Sequence, residues 1–464
     1  MPESHRPRGI DPAGRKLVTS LEAFASDLPS DEIPASGMGA EAAYLAISYE
    51  MELDGDPRHN LATFVTTFME DHAVKLIAEN LHRNFIDHAE YPQTAEIEQR
   101  CIRMLSRLFH APEGAAPMGA RCQGSSEAIM LGALAMKWRW RAKREAAGKD
   151  IARPNLVYGS DVHVVWDKFC RYFDVEPREI PLSPGRFTIG PGDVKPHIDE
   201  NTIGVVGVIG TTFTGENDDI VGINDLLVQI KNEQGLDIPL HADGASGGFV
   251  MPFLYPDEPW DFRLEQMSSI NVSGHKFGLV YPGIGWLIFR DRSELPEDLV
   301  FYENYLGKVD ATFTLNFSTG AAMVLAQYFN FLHFGHDGFL AIMELMKLNA
   351  DHLADRIGEM PAFDVLRPDV QLPLVAFTVA GGQSFTAHDV ADQLARIRGW
   401  MVPAYALPKN AQDTVMLRIL VKQNLGRSLI DQLVKDLHEA VDTLDKRASG
   451  QASGPRRIHT GTGY

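Results

Sequence analysis

The chain has 464 residues, a formal net charge of −19, 45% hydrophobic residues and 23% charged ones. That balance supports a globular chain with a sizeable core and argues against nucleic acid or an anionic membrane surface as the main partner. The three cysteines, Cys101, Cys122 and Cys170, are widely spaced and form no C-x-x-C pair, which excludes a disulfide framework and a zinc site and favours a reducing, cytoplasmic setting. No apolar run approaches the roughly 18 residues of a membrane span, and the N-terminus lacks a signal-peptide core. The length allows about three domains, or one large α/β domain with a small companion.

In chain order, residues 1 to about 35 are polar and proline-containing and are expected to form an arm, within an N-terminal segment 1–60. Apolar spacing predicts helices over Glu41–Leu53, up to His82, and over Thr94–His110, followed by a loop Ala111–Ala120. Gly124-Ser125-Ser126-Glu127-Ala128 opens a long helix through Arg144. Glycine and two serines at a helix start read either as a plain N-cap or as an anion cradle. Asn155–Tyr158 reads as a strand, with Ser160–Phe169 heading the next helix. Thr202–Gly210 is an unbroken apolar run, as in a buried parallel strand. Ile223–Gln234 is predicted helical and returns the chain to the Ile238–Asp243 strand. Such alternation implies right-handed βαβ units and a mostly parallel sheet, expected to have seven strands. A helix is predicted from about Leu315 to His333, another over Leu345–Ile357. Strands 374–379, 401–407 and 414–421 with helices 387–398 and 428–444 suggest a small α+β domain. The expected organisation is thus a large domain over 61–345, a small one over 346–445 and a tail over 446–464.

Two stretches carry the chemistry. In His241-Ala242-Asp243-Gly244-Ala245-Ser246-Gly247-Gly248-Phe249 an apolar run ends in an aspartate and small residues, at the carboxyl end of a strand where α/β sheets bind ligands. In Ser273-Gly274-His275-Lys276-Phe277-Gly278 a lysine lies in a small, glycine-flanked loop beside β-prone segments. A lysine so placed is either an ordinary surface side chain or a desolvated amine able to form a Schiff base. Pyridoxal phosphate needs a lysine for its aldehyde and an acid for its pyridinium nitrogen, and Lys276 and Asp243 supply that pair. On these motifs the chain resembles the pyridoxal-phosphate-dependent group II amino-acid decarboxylases, and among them the glutamate decarboxylases, over roughly residues 41 to 445.

The resemblance implies a fold type I, pyridoxal-phosphate-dependent transferase-like large domain, and the cofactor pyridoxal 5'-phosphate. It places Ser125 and Ser126 at the phosphate, His163 against the ring where relatives often carry glutamine, and Thr212 and Ala245 beside the cofactor. His275 stands next to Lys276, and Ser318 reaches the phosphate across a dimer. Thr63 and the Phe64 backbone are implied to bind the distal carboxylate of L-glutamate, with Asn84 and Asp87 approaching from the neighbouring subunit. An aspartate there requires that one carboxyl of the pair carry a proton, which suits work at acidic pH. Arg418, a charge inside the apolar strand Val415–Val421, is either half of a structural ion pair or, by resemblance, the anchor of the α-carboxylate. The implied assembly is a homodimer with shared sites, with a hexamer as a further option.

Departures from the pattern are Cys122-Gln123 before the phosphate turn, the acidic Glu216-Asn217-Asp218-Asp219, and Thr319-Gly320 where relatives often have Arg-Pro. The last removes a cation near the phosphate with no visible replacement. The tail lacks an amphipathic calmodulin-type helix, and His459-Thr460 resembles the pair with which bacterial relatives shut the site at neutral pH. Competing readings are a decarboxylase of another amino acid such as aspartate, an aminotransferase, or a degenerate interaction protein. Gly244-Ala245-Ser246-Gly247-Gly248 also fits the G-x-S-x-G elbow of hydrolases, but Pro252 and Pro256 argue against the helix that an elbow requires after its serine.

Overall fold

The computed structural model describes residues 28–450, apart from 184, 304–309 and 368. The expected tail pair His459-Thr460 and most of the N-terminal arm lie outside the described residues. The chain divides into two compact units at Asn60–Leu61. The first contains one described helix, Ala40–Met51. Everything below concerns the second.

Its centre is a seven-stranded sheet: β1 (Met118–Cys122), β2 (Asn155–Gly159), β3 (Glu176–Ile180), β4 (Thr202–Val208), β5 (Leu240–Asp243), β6 (Met267–Val272) and β7 (Gly285–Phe289). The spatial order is β1-β7-β6-β5-β4-β2-β3. β6, β5, β4, β2 and β3 run parallel, and β7 is antiparallel to both its neighbours. The central strands are buried at every position, β4 as Thr-Ile-Gly-Val-Val-Gly-Val and β6 as Met-Ser-Ser-Ile-Asn-Val. Burial on both faces replaces the alternating pattern of a half-exposed strand by a continuous apolar run in β4, whereas β6 keeps polar Ser268, Ser269 and Asn271 although every position is covered. β1 had been expected as part of the loop Ala111–Ala120. Its sequence Met-Gly-Ala-Arg-Cys has few β-formers, and tertiary pairing with β7 overrides propensity. β3, Glu-Pro-Arg-Glu-Ile, is polar and carries a proline, as suits an edge.

The helix Ser125–Ala146 leaves β1 and packs on β4, β6 and β7. Its start needs Gly285: a Cβ there would stand 2.5 Å from the Gly124 carbonyl carbon. The long run Ala322–Gly358 is two helices merged at Gly335, whose φ of 58° and ψ of −169° only glycine adopts readily. The second helix therefore begins ten residues before the expected Leu345, and the expected boundary at 345/346 falls inside it. A four-stranded antiparallel sheet follows, with Leu374–Val379 and Val415–Leu420 at its centre. The last helix, Arg427–Ala448, runs past the expected end at Leu444.

Candidate active site

The parallel strands end around a cavity of about 400 Å³. Its wall is built from four segments: the helix start at Gly124-Ser125-Ser126, the turn after β2 with Asp161 and His163, the ends of β4 and β5 with Thr212, Asp243, Ala245 and Ser246, and the loop after β6 with Ser273, His275 and Lys276. Eight expected residues, Ser125, Ser126, His163, Thr212, Asp243, Ala245, His275 and Lys276, are thus brought together from positions up to 151 apart, as the arithmetic 276 − 125 gives.

Asp243 is 4% exposed. Trp166 Nε1 donates to its Oδ2 at 2.9 Å, and Asn271 Nδ2 and the Ala245 amide donate to Oδ1 at 2.9 and 3.2 Å. These donors fix the carboxylate in one orientation. The pairing of Asp243 with Asn271 is a register partnership between β5 and β6. Ser269, Asn271 and Ser273 share one face of β6 and its extension: the first two hold the His241 ring at 2.7 Å each, and Ser273 Oγ meets Ser125 Oγ at 2.7 Å. Sequence reasoning missed the supporting roles of Trp166, Asn271 and Ser273. Polar residues alternating along a fully buried strand were the available signal.

Lys276 Nζ donates to Ser246 Oγ at 3.2 Å and stands 5.0 Å from the centre of the Phe64 ring. Burial brings its pKa down to about 8, opposed by Asp243 and aided by Arg418. The loop is pinned by Thr66, whose amide donates to the His275 carbonyl at 2.8 Å and whose hydroxyl donates to the Lys276 carbonyl at 2.7 Å. His275 Nδ1 lies 2.9 Å from the Ile284 carbonyl, so Nδ1 carries the proton it donates. Burial lowers the pKa of His275. His163 opens to the cavity, and desolvation by the surrounding wall lowers its pKa too.

Arg418 is 6% exposed. It donates to the carbonyls of Thr212 and Ala62, lies 5.0 Å from the Phe64 ring and 5.6 Å from the Tyr405 ring, and its Nε has no partner. No described carboxylate pairs with it, so the structural ion pair weighed from sequence is not what the strand carries. Phe64 lies between the two cations, with Thr63 beside it accepting the Val65 amide at 3.2 Å.

Asn84, Asp87 and Ser318 are not among the residues lining this cavity. Two of them form a separate patch: Asn84 Nδ2 donates to Ser318 Oγ at 3.4 Å and its Oδ1 accepts the Thr319 amide at 3.2 Å. Asp87 caps the following turn through its backbone carbonyl. The lost cation at Thr319 has a neighbour unseen in the sequence, since Arg121 of β1, stacked 4.2 Å from the Phe85 ring, donates to Thr319 Oγ1. Ser246 is followed by a single turn Gly247–Phe249 and a four-residue helix Met251–Leu254. The prolines therefore shorten the helix rather than prevent it, but the bonded partner of Ser246 is Lys276, not a histidine.

A family model described as the pyridoxal-dependent decarboxylase conserved domain matches residues 38–380. The chain is 45% identical over 439 residues to glutamate decarboxylase 1 of Arabidopsis thaliana, covering 94% of this chain and 86% of the relative. It is 42% identical over 433 residues to a glutamate decarboxylase of Lactococcus lactis subsp. cremoris, covering 92% and 93%. Among solved structures it is similar to the glutamate decarboxylase of Lactobacillus brevis, with a TM-score of 0.88, 39% identity, and coverage of 91% of this chain and 97% of that one.

Proposed function

We infer the chemistry of this cavity from its family: the chain belongs to the pyridoxal-dependent decarboxylases, and within them to the glutamate decarboxylases. It has the type I fold of that group. It is a pyridoxal-phosphate-dependent carboxy-lyase that converts L-glutamate to 4-aminobutanoate and CO2 with uptake of one proton. The observation that carries the reading is the meeting of Lys276 and buried Asp243 in the wall of one cavity, with buried Arg418 bonded to the carbonyl of wall residue Thr212 and 5.0 Å from the same Phe64 ring that Lys276 faces.

The residues fit pyridoxal phosphate. The start of a 22-residue helix, with Ser125 and Ser126, offers an anion cradle at one end of the cavity. Asp243, held by three donors, offers an acceptor for a ring N–H at another. Lys276, with its pKa near 8, offers an amine that is neutral far more often than an ordinary lysine's. When bound, the cofactor supplies the electron sink for the carbanion left at Cα. The protein's part is to bind and orient. Lys276 holds the cofactor, and Asp243 keeps a proton on the ring nitrogen. His163, Ala245, Thr212 and His275 line the cavity and would hold the cofactor in place there. Arg418 binds the α-carboxylate, so that its bond to Cα can stand perpendicular to the ring. The partnerless Nε and the aromatic walls of Phe64 and Tyr405 support that role.

Thr63 and the Phe64 backbone take the distal carboxylate. Asn84, Asp87 and Ser318 act in the site of a second copy, the first two at that carboxylate and Ser318 at the phosphate. A homodimer with shared sites is the assembly that this reading requires. No helix of the described residues is long and apolar enough to cross a membrane, and three buried free cysteines favour the cytoplasm. The test is amine production from glutamate, and separately from aspartate, with added pyridoxal phosphate between acidic and neutral pH. Product from glutamate alone supports the pocket assigned to the longer chain. Product from aspartate at equal kcat/KM would overturn it.

A further inference from the structure

Two carboxyl groups of the cavity wall, Glu127 and Asp161, have no place in the scheme above, and of these Glu127 accepts the Gln123 and Leu315 amides at 2.8 and 3.1 Å. β2 ends at Gly159, and the chain turns through Ser160–Val164 before the helix Val165–Tyr172. In that turn Asp161 is 1% exposed, yet it lines the 400 Å³ cavity. Neither of its carboxyl oxygens finds a hydrogen-bond partner in another residue. The position is built for the carboxyl group: a Cβ on Gly159 would stand 2.2 Å from Asp161 Oδ1.

The charges that act on it most strongly are acidic, Asp218 and Glu216 from the segment after β4 and Asp243 from β5, while His163 and Lys276 line the same cavity. Each of these has its own donors. Asp218 accepts the Ile189 and Val208 amides at 2.8 and 2.7 Å. Glu216 is bonded by Arg367 and Thr214 Oγ1 at 2.7 Å each. Asp243 has Trp166, Asn271 and Ala245. Only Asp161 of the four has neither a cation nor a donor. Burial, then the charges of Asp218 and Asp243, raise its pKa well above the usual carboxyl value. A protonated carboxyl group carries an O–H that must be donated somewhere, and with no partner in the protein Asp161 is left with the cavity it lines.

We propose that Asp161 is a further cofactor-binding residue, donating a hydrogen bond from its carboxyl group to an acceptor of the pyridoxal phosphate held in this cavity. The donor exists only while the group keeps its proton. As pH rises and the proton leaves, Asp161 becomes an acceptor facing Asp243, and the hold on the cofactor weakens. This rests on the cavity being the pyridoxal phosphate site.

The test is the Kd of pyridoxal phosphate for the full chain stripped of cofactor, read by absorbance between pH 5 and 8, for wild type, Asp161→Asn and Asp161→Ala. The amide of asparagine keeps a donor and does not titrate. Asp161→Asn is expected to match wild type at pH 5, and between pH 5 and 8 wild type is expected to lose about tenfold more affinity than Asp161→Asn, the worth of one buried hydrogen bond. Asp161→Ala is expected to bind about tenfold more weakly already at pH 5. Parallel pH curves for wild type and Asp161→Asn would overturn the assignment, and if the alanine variant does not fold, this comparison decides alone. A change confined to the melting temperature, with affinity and its pH slope unmoved, would equally overturn it in favour of a structural role. Wild type that binds no cofactor at any pH would instead remove the reading of the cavity on which the assignment stands.

Discussion

Replacing Arg418 tests the reading most severely, because its guanidinium is spoken for on one side and open on the other. Two of its nitrogens hold the Thr212 and Ala62 carbonyls, while Nε has no partner and no described carboxylate balances the charge. If the missing partner is the substrate's α-carboxylate, Arg418→Met removes one member of a buried charge pair. Such truncations cost about 2–5 kcal/mol, and at about 1.36 kcal/mol per decade kcat/KM should fall roughly 30- to 5,000-fold. Both constants should move: KM because anchoring is lost, and kcat because the scissile bond is no longer held at the angle the electron sink requires. Arg418→Lys keeps a charge but not the planar fork that spans two carbonyls and a carboxylate, so it should fall between wild type and Arg418→Met. The assay is steady-state 4-aminobutanoate production, with bound cofactor measured in each preparation by absorbance. An Arg418→Met enzyme with full cofactor content and kcat/KM within about threefold of wild type would refute the reasoning.

Other consequences can be measured with the same preparations. Lys276→Ala should abolish steady turnover, and sustained product formation by that variant would sink the assignment. In wild type the amine becomes neutral as pH rises through its pKa, so covalent attachment of the cofactor to the stripped protein should speed up with a midpoint near 8; a midpoint at the ordinary lysine value of about 10.4 would contradict the burial argument. Asp243→Asn should cost far more rate than cofactor affinity, with kcat down by about 10²–10⁴ and the smaller loss in Kd, since Asn271 and the Ala245 amide can still donate to the one oxygen that remains; the opposite split would make Asp243 merely a binding residue. Inactive Lys276→Ala and Asp87→Ala chains, when mixed and allowed to exchange, should recover activity at about a quarter of the sites, because half the dimers are mixed and each of these has one intact site. No recovery from chains shown to have exchanged would place Asp87 in its own chain's site.

The parts of the fold legible in the sequence are those where one physical demand dominates. β4 and β5 read as continuous apolar runs because both their faces are covered. Lys276 and Asp243 were legible because their chemistry requires glycine-flanked loops at strand ends. β1 and β3 were not, since edge strands are held by pairing rather than by pattern, and β1 spends one of its five residues on Arg121. The break at Gly335 was hidden for another reason: helical spacing continues on both sides of it, and only the backbone angles reveal the bend. Within the site, side chains that act alone were legible, whereas Trp166, Asn271 and Ser273 act through register and become visible only when β5 and β6 lie side by side. The substitution of Thr-Gly for the relatives' Arg-Pro looked like a loss, and only the structure brings Arg121 to Thr319.

Counting charges around the cavity explains why it suits a reaction that removes a carboxylate. Lys276 is the cation of the wall, with Arg418 beyond it; Asp243, Asp161 and Glu127 are its carboxyl groups, and Glu216 nearby is already paired with Arg367. The cofactor adds a phosphate and glutamate adds two carboxylates, so anionic groups outnumber cations around the cavity, where like charges close together repel. A helix start relieves part of this at the phosphate, and protons relieve the rest. Burial holds Asp161 toward its neutral form. Loss of CO2 carries one carboxylate away as a neutral molecule and draws in a proton, so the product leaves the cavity with one anion fewer than the substrate brought. The electrostatic repulsion among the carboxyl groups of the cavity thus acts in the direction of the reaction.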